Sequence, residues 1–419
     1  LYEMLAGAPG TRGSHALGEL KAFFFSGLDT ATDRADPRGR VDVETQALLH
    51  LCAASDAPDD RPDNGRPRLA HPPFCASHAE LLADDVLRLL HHQEHMPRSV
   101  LVDYLKILFA FHLSLHHLRL VTGLPAMLAG TGRHRCRLPV VTEEAAVAAP
   151  DCEFQTGLLV DVANLPATPA AALAERSAAA WWQRIPAYVR AAYEVKKLDE
   201  LGAHLVRRHK ISRPHSGIFT VEEAIALGRR KDVRPERDDF FGQRLTDLVE
   251  GTLDADDLPE GVSQILDLQM ERRETYLEII TALKGDFHRK YLTDCLDSLL
   301  LKNRAGALIA QPRGHRRRFV LDSKLLEVLL QISLLRPSGA EFRTQALRVD
   351  EFLSILRTRY GLHVDRLPDG DGFGRAGIDD RAALRANVRA FTERLREIGF
   401  YTDLSDAYLT QTIRPRYSI

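Results

Sequence analysis

The pattern that most constrains the fold of this 419-residue chain is an amphipathic stretch at residues 381–398. Its apolar residues recur every three or four positions, and they are Leu384, Val388, Phe391, Leu395 and Ile398. That spacing is the period of an α-helix with one buried stripe. The stretch therefore predicts a helix that packs on a core by one face and turns arginines, Arg385 and Arg389 among them, away from it.

Short strands and further helices surround this helix in a recognisable order. After Gly306 the patterns predict a strand, a basic turn, a strand, two helices, a long loop, the amphipathic helix and a final hairpin. The corresponding residues are 307–310, 312–317, 318–321, 323–335, 349–360, 368–375, 381–398 and 400–413. Asp322 or Ser323 suits the first helix start and Gly361 suits the end of the second. This order predicts a C-terminal winged helix-turn-helix.

The rest of the chain reads as mainly α with small β elements. A capping-box pattern at residues 77–80 predicts a helix start, and Thr220 with Glu223 predicts another. Apolar runs at 138–141 and 158–162 predict short buried strands. The predicted organisation is a helical domain at 1–135, a mostly helical domain with short strands at 136–304, and the winged-helix-like domain at 305–419.

Composition narrows the cellular setting. Five cysteines, odd in number and scattered, argue against a disulfide framework and favour a reducing, cytoplasmic location. No run of about 18 apolar residues occurs, so we expect no membrane span. The most apolar stretch, 100–128, is interrupted by charges and histidines and predicts a buried helix.

Charge is unevenly distributed and points to a basic surface. Residues 305–419 carry 19 Lys+Arg against 14 Asp+Glu, a net charge of +5; since the whole chain is −2, the remainder is −7. A basic module beside an acidic body is compatible with contact with duplex DNA, but the excess of positive charge is modest. The residues predicted to make that contact are Arg313, Arg316, Arg317, Arg318, Arg385, Arg389, Arg414 and Arg416. Contact with another protein is favoured over contact with DNA, and solvated surface arginines, or arginines paired with Glu393, Glu397 and Asp403, are a further alternative.

Catalytic motifs are weak, and we predict no catalytic residue, metal ligand or cofactor. Asp322 and Lys324 follow a strand as in some metal-dependent nucleases, but that strand offers no second acidic residue, and Asp322 also suits an N-cap. Arg–His pairs spaced as in helical ribonucleases occur at Arg88/His95 and Arg208/His215, a spacing expected by chance.

Two further motifs that suggest a metal site are explained better as ordinary structural features. The histidine-rich segment has donors that zinc prefers but no established closed-site spacing, so structural histidines are favoured. These residues are His71, Cys75, His78, His91, His92 and His95. Residues 369–374 partly match a calcium loop, with Phe373 at its fifth position, and read better as a surface loop. Trp181 and Trp182 predict core or interface packing.

Two segments carry a family resemblance. Residues 395–408 (LREIGFYTDLSDAY) with 412–417 (TIRPRY), and residues 157–164 (GLLVDVAN) with 171–177 (AALAERS), resemble accessory proteins of bacterial anti-phage defence islands. The nearest types are accessory subunits of the methylation-associated defence system or of phosphorothioate-dependent restriction. The resemblance implies a non-catalytic subunit working beside a HerA-like ATPase or a nuclease.

The sequence therefore predicts an adaptor or scaffold subunit that uses its C-terminal module to dock DNA or a partner. Two alternatives stay open: a metal-dependent nuclease component, and a purely structural assembly subunit.

Overall fold

Helices dominate the fold and the strands are short, which confirms a mainly α chain with small β elements. The computed structural model describes residues 1–24, 73–130, 154–214, 217–252, 260–338, 341–370, 372–401, 412–417 and 419. It also describes two-residue strands at 28–29, 34–35, 136–137 and 151–152.

The helices up to residue 207 are α1 (Tyr2–Ala6), α2 (Arg12–Phe24), α3 (Ala76–Leu90), α4 (Arg98–Ala129), α5 (Pro169–Trp182) and α6 (Ile185–Arg207). The later helices are α7 (Val221–Arg229), α8 (Arg234–Thr252), α9 (Glu260–Asp267), α10 (Arg272–Leu299), α11 (Ser323–Ser333), α12 (Val349–Tyr360) and α13 (Ile378–Glu397).

The strands form two-stranded pairs in the described part of the chain. Antiparallel pairs are β1 (Leu28–Asp29) with β2 (Arg34–Ala35), β3 (Cys136–Arg137) with β4 (Asp151–Cys152), β6 (Ile309–Ala310) with β7 (Arg318–Phe319), β8 (Leu335–Ser338) with β9 (Glu341–Thr344), and β10 (Leu347–Arg348) with β12 (Thr412–Ile413). One pair is parallel: β5 (Leu158–Leu159) lies beside β11 (Leu362–His363).

Local capping explains several helix ends. The Asp322 carboxylate accepts from the Lys324 backbone N–H at 2.9 Å, so the predicted N-cap of α11 is confirmed. Thr220 and Glu223 form the predicted capping box of α7. Gly361 ends α12 with φ 72°, and a Cβ there would lie 1.7 Å from the Thr156 carbonyl oxygen, so only glycine fits.

Two local predictions are wrong. The Ser77 capping box does not form, because α3 begins one residue earlier at Ala76 and Ser77 is buried in its first turn. Residues 335–338 and 341–344 pair as strands β8 and β9, although the pattern predicts that the first C-terminal helix runs to Leu335 and ends at the Pro337 turn. Proline cannot continue a helix, but it is tolerated in an edge strand such as β8.

One hydrophobic core joins the three predicted domains. Its buried members include Leu89 and Leu105 from the first segment, Val160 from the second, and Leu329 and Phe352 from the third. The β5–β11 pair adds backbone hydrogen bonds between the second and third segments. The domain boundaries stay a prediction, but the C-terminal module shares its core with the body.

Helix α4 forms much of this core. By length and composition alone it is apolar enough to cross a membrane, the one such helix among the described residues. In the fold it buries Leu101, Leu108 and Leu115 against the core cluster, as expected for the predicted buried helix. The core helix of a soluble protein passes the same composition test.

Several predictions fall outside the described residues. These are the strand at 138–141, His71, His215, Asp371, Asp403 and residues 402–411 of the predicted final hairpin.

Candidate nucleic-acid interface

Arg318 lies in the interior and is removed from the predicted DNA-contact set. Its Nε lies 3.3 Å from Asp161 Oδ2, and its Nη2 donates to Asn164 Oδ1 at 2.8 Å. Both members of the ion pair are buried. Burial raises the pKa of Asp161, and the Arg318 charge only partly opposes that shift. Arg318 therefore fastens β7 to the segment after β5, where it cannot reach a phosphate.

Arg313 and Arg316, in the turn between β6 and β7, have the opposite setting. The turn passes through Gly314 at φ 81° and carries both arginines into solvent. Neither side chain has a carboxylate partner among the described residues. The tip of this hairpin thus presents positive charge that no described carboxylate neutralises.

Arg317 has an intermediate role between its two neighbours. It donates from Nη2 to Asp297 Oδ2 at 2.6 Å, and its guanidinium lies 4.5 Å from the Trp182 ring centroid. The ion pair and the cation–π contact fix its direction. It is partly exposed, so it can add charge to the surface while holding the hairpin against α10.

Arg316 and Arg317 border a cavity of about 410 Å³, which we call the hairpin groove. Its lining residues are Ala172, Glu175, Arg176, Ala178, Ala179, Trp182, Arg316 and Arg317. The floor is the small-residue face of α5, and the walls include cationic side chains. Such a groove can accept a flat or anionic group, with Arg176 and Arg316 supplying charge and Trp182 an aromatic wall.

Sequence reasoning missed Arg176 as part of this surface and read Trp182 as packing alone. Arg176 lies over the Phe373 ring at 4.7 Å and donates to the Gly372 carbonyl oxygen at 3.2 Å. The indole Nε1 of Trp182 is enclosed with no hydrogen-bond partner in the described region. The sequence feature that could have indicated this surface is the run of small residues around Arg176, because small side chains leave one face of α5 uncovered.

Helix α13 carries a second basic surface. Arg381, Arg385 and Arg389 are spaced by four residues, so they lie along one face, and all three are exposed. No carboxylate among the described residues pairs with them. The predicted competing pairing occurs elsewhere on the helix, where Arg394 contacts Glu397 at 3.1 Å.

The two arginines after the final strand also differ. Arg414 is exposed and has no ion-pair partner in the described structure. Arg416 donates to the Ile398 carbonyl oxygen, lies 4.9 Å from the Phe400 ring centroid, and approaches Glu327 at 3.8 Å. Arg416 therefore anchors the end of the chain, which leaves Arg414 as the more available cation.

The residues considered for a nuclease site make structural contacts within the fold. Besides capping α11, Asp322 Oδ1 accepts from the Gly306 N–H at 2.6 Å, and Lys324 pairs with Glu327. Arg88 is buried, whereas His95 lies exposed beyond the end of α3, so the two do not converge. Among the described side chains, no three of His, Cys, Asp or Glu come close enough to hold a metal ion.

Two of the histidines that suggested a metal, His78 and His92, are core residues. His78 Nε2 lies 2.9 Å from the His112 carbonyl oxygen, and His92 Nε2 lies 3.2 Å from that of Gln331. Burial lowers the pKa of His92 to about 4 and that of His116 to about 4. These imidazoles are therefore neutral at pH 7.

A group of buried charges, which we call the ionic cluster, ties α12 to α3 and α4. It comprises Asp84, Asp85, Arg88, His112, Arg359 and Tyr360. Arg359 donates to both carboxylates, at 2.7 Å to Asp84 Oδ2. Arg88 donates to Asp84 at 2.8 Å, and the Tyr360 hydroxyl donates to Asp85 at 3.0 Å.

Electrostatic interactions keep the carboxylates of the ionic cluster ionised although they are buried. Burial raises the pKa of Asp84, but the Arg359 and Arg88 charges outweigh it and lower the pKa to about 2. Burial likewise opposes ionisation of Asp85, yet Arg359 and His112 lower its pKa. All its charges are enclosed, so the cluster serves the fold and offers no surface to a ligand.

Comparison with known families decides between the two defence types. The family described as methylation-associated defense system protein MAD7 matches residues 1–417. The chain belongs to this family. The match confirms the resemblance to a defence-island protein and supports a bacterial, antiviral context. No curated protein and no solved structure matches the chain.

Proposed function

We propose that this protein is a non-catalytic adaptor subunit of a methylation-associated defence complex, which holds duplex DNA against its C-terminal arginines. The observation that carries the proposal is a contrast in pairing. The interior arginines Arg318 and Arg359 contact carboxylates, whereas Arg316, Arg385 and Arg389 lie at the surface without a described carboxylate partner. Unneutralised surface cations are what a polyanion requires.

The C-terminal topology supports a winged helix. After α11 and the β8–β9 pair come strand β10, helix α12, strand β11, helix α13, the bridge residue Tyr401 and strand β12. Strand β12 pairs with β10, and Ile413 also bridges to Tyr401. Apart from the β8–β9 pair and β11, which pairs with β5, this order is similar to that of a winged helix, with the bridge residue Tyr401 in the place of one strand. The β8–β9 hairpin is an insertion between α11 and β10.

In that interpretation α13 is the helix that enters the major groove. Its stripe of Arg381, Arg385 and Arg389 would face the DNA, and Arg414 would lie beside the wing. Phosphate contacts of this kind supply affinity and orientation, and they carry little sequence information. Recognition of a methylated sequence would then belong to another subunit of the complex.

The proposed subunit works in the cytoplasm beside an ATPase of the HerA type or a nuclease. The family match supports a multi-component defence setting, and the resemblance implies those partners. The purely structural alternative is also favoured by one observation: Phe287 and Tyr291, one turn apart on α10, are 70% and 67% exposed. A contiguous exposed aromatic pair suits contact with another chain.

Fluorescence anisotropy with a labelled duplex, read across a salt series, tests the DNA half of the proposal. We expect binding whose logarithm falls linearly with the logarithm of salt concentration, with a slope of roughly −3 to −5 for four or five phosphate contacts. The full chain should be used because the C-terminal module shares its core with the body. Absence of binding at low salt would leave the structural-subunit alternative.

A further inference from the structure

Cys75 and Cys152 come together in the interior although 77 residues separate them in the chain. Cys75 is the N-cap residue of α3, and Cys152 lies in β4. Their sulfur atoms are 3.5 Å apart, and no disulfide joins them. Cys75 is fully enclosed, whereas Cys152 keeps 9% of its surface exposed.

The charged neighbour of this pair is Arg119. Its side chain is fully buried, and Nη1 lies 3.5 Å from Cys75 Sγ. Its Nε and Nη2 have no hydrogen-bond partner in the described structure. A buried guanidinium without a counter-charge is strongly unfavourable.

The other ionisable groups around Arg119 cannot supply that counter-charge. His78 and His116 are held neutral, since burial lowers the pKa of each. His112, also near Arg119, has its pKa lowered by burial as well, and no described carboxylate forms an ion pair with Arg119. The Cys75 sulfur is the remaining described neighbour that can carry negative charge, so Arg119 favours its thiolate form.

We propose that Cys75 and Cys152 form a redox-active dithiol that a small hydroperoxide converts reversibly to a disulfide. The Cys75 thiolate attacks the terminal oxygen of hydrogen peroxide, the O–O bond breaks, and water leaves after protonation. Cys75 is then a sulfenic acid. Cys152 attacks its sulfur, the S–O bond breaks and a second water leaves. The balance is two thiols and one peroxide giving one disulfide and two waters.

Geometry suits this oxidant and this partner. A water-sized peroxide can reach an enclosed thiolate, whereas a bulky oxidant such as glutathione disulfide cannot. Resolution needs a second sulfur beside the first, which Cys152 provides. Cys136 is the rival partner, because β3 pairs with β4 so that Cys136 lies opposite Cys152. Cys295, on α10, serves as an independent reporter thiol.

The test treats the full chain with stoichiometric hydrogen peroxide, alkylates the remaining thiols, and maps peptides by mass spectrometry without reduction. We expect a Cys75–Cys152 crosslink that dithiothreitol reverses. The crosslink should persist in the Cys136→Ser and Cys295→Ser variants. It should disappear in Cys75→Ser and in Cys152→Ser.

Replacing Arg119 tests the charge argument separately. Arg119→Met should slow peroxide consumption at Cys75 at least tenfold, whereas Arg119→Lys should restore part of the rate. Circular dichroism of each variant establishes that it is folded. Equal rates in the wild-type protein and a folded Arg119→Met would remove Arg119 from the proposal.

Three results would overturn the dithiol itself. One is an unmodified Cys75–Cys152 pair after Cys295 has been oxidised. Another is a crosslink that runs through Cys136. The third is a stoichiometric metal ion in the purified protein, found by elemental analysis, whose removal is required before either thiol reacts.

Discussion

The ionic cluster and the surface arginines of α13 use the same side chain for opposite purposes. In the cluster, Arg359 contacts two carboxylates in a setting closed to solvent. On α13, Arg385 and Arg389 have no carboxylate partner in the described structure. In our proposal, an arginine's pairing, more than its position in a basic segment, separates arginines that stabilise the fold from arginines available to bind DNA.

Acid should affect the interior far more than the surface, and this is the largest effect we expect. Burial lowers the pKa of His92 to about 4 and of His116 to about 4, from an ordinary value of 6.5. Between those values the unfolded chain binds more protons than the folded one. Stability is therefore fully present above pH 6.5 and is lost as pH falls toward 4, by about 3 kcal/mol for each histidine.

Urea unfolding at pH 7, 6, 5 and 4.5 checks this dependence. His92→Gln should flatten the profile, since one titrating group is removed. His95→Gln is the matched control, because His95 is exposed. A stability that stays constant from pH 7 to 4.5 would show that the buried histidines do not respond as the interior account requires.

The Arg359→Met substitution should cause the next-largest loss of stability. The substitution leaves Asp84 and Asp85 buried without their shared cation, and breaking a buried pair costs about 5 kcal/mol at the upper end. Equilibrium unfolding in urea measures the decrease in stability. Arg366→Met is the control, since Arg366 is exposed and pairs with Asp365, and it should change stability by at most about 0.5 kcal/mol. Equal decreases in unfolding free energy for the two variants would contradict the expected difference between buried and surface arginines.

The double variant Arg385→Ala with Arg389→Ala should show the reverse behaviour. Its unfolding free energy should stay within about 0.5 kcal/mol of the wild type, because both side chains lie at the surface without ion-pair partners in the described structure. Its salt slope for duplex binding should shrink by about 2, one unit for each phosphate that is no longer neutralised. Lys284→Ala with Lys290→Ala on α10 removes the same charge elsewhere, and an identical slope change there would mean that only net charge matters.

Local patterns allowed much of the C-terminal order to be predicted. The apolar period of α13 and the Asp322 cap depend on residues within a few positions of each other, so the sequence displays them directly. The β8–β9 hairpin was missed, since Pro337 and Gly339 signal a break in the helix without revealing that the chain returns as a strand.

Long-range pairing could not be predicted. Arg316 and Arg318 belong to one basic run, yet Arg318 is buried because Asp161, 157 residues earlier, lies opposite it. Arg359 meets Asp84 across 275 residues. A count of charges cannot distinguish a buried arginine from an exposed one. The position of Arg176 in the hairpin groove could not be predicted either, because it depends on how α5 packs beside the β6–β7 hairpin.

Arg316 and Arg318 provide the most direct test of the central claim, since they stand two residues apart on one hairpin. Unfolding free energy and duplex affinity should both be measured for Arg316→Ala and Arg318→Met. We predict that Arg316→Ala keeps its stability and binds DNA more weakly. Arg318→Met should lose about 3 kcal/mol of stability while its folded fraction binds DNA as the wild type does. Wild-type affinity in Arg316→Ala, or unchanged stability in Arg318→Met, would contradict the account.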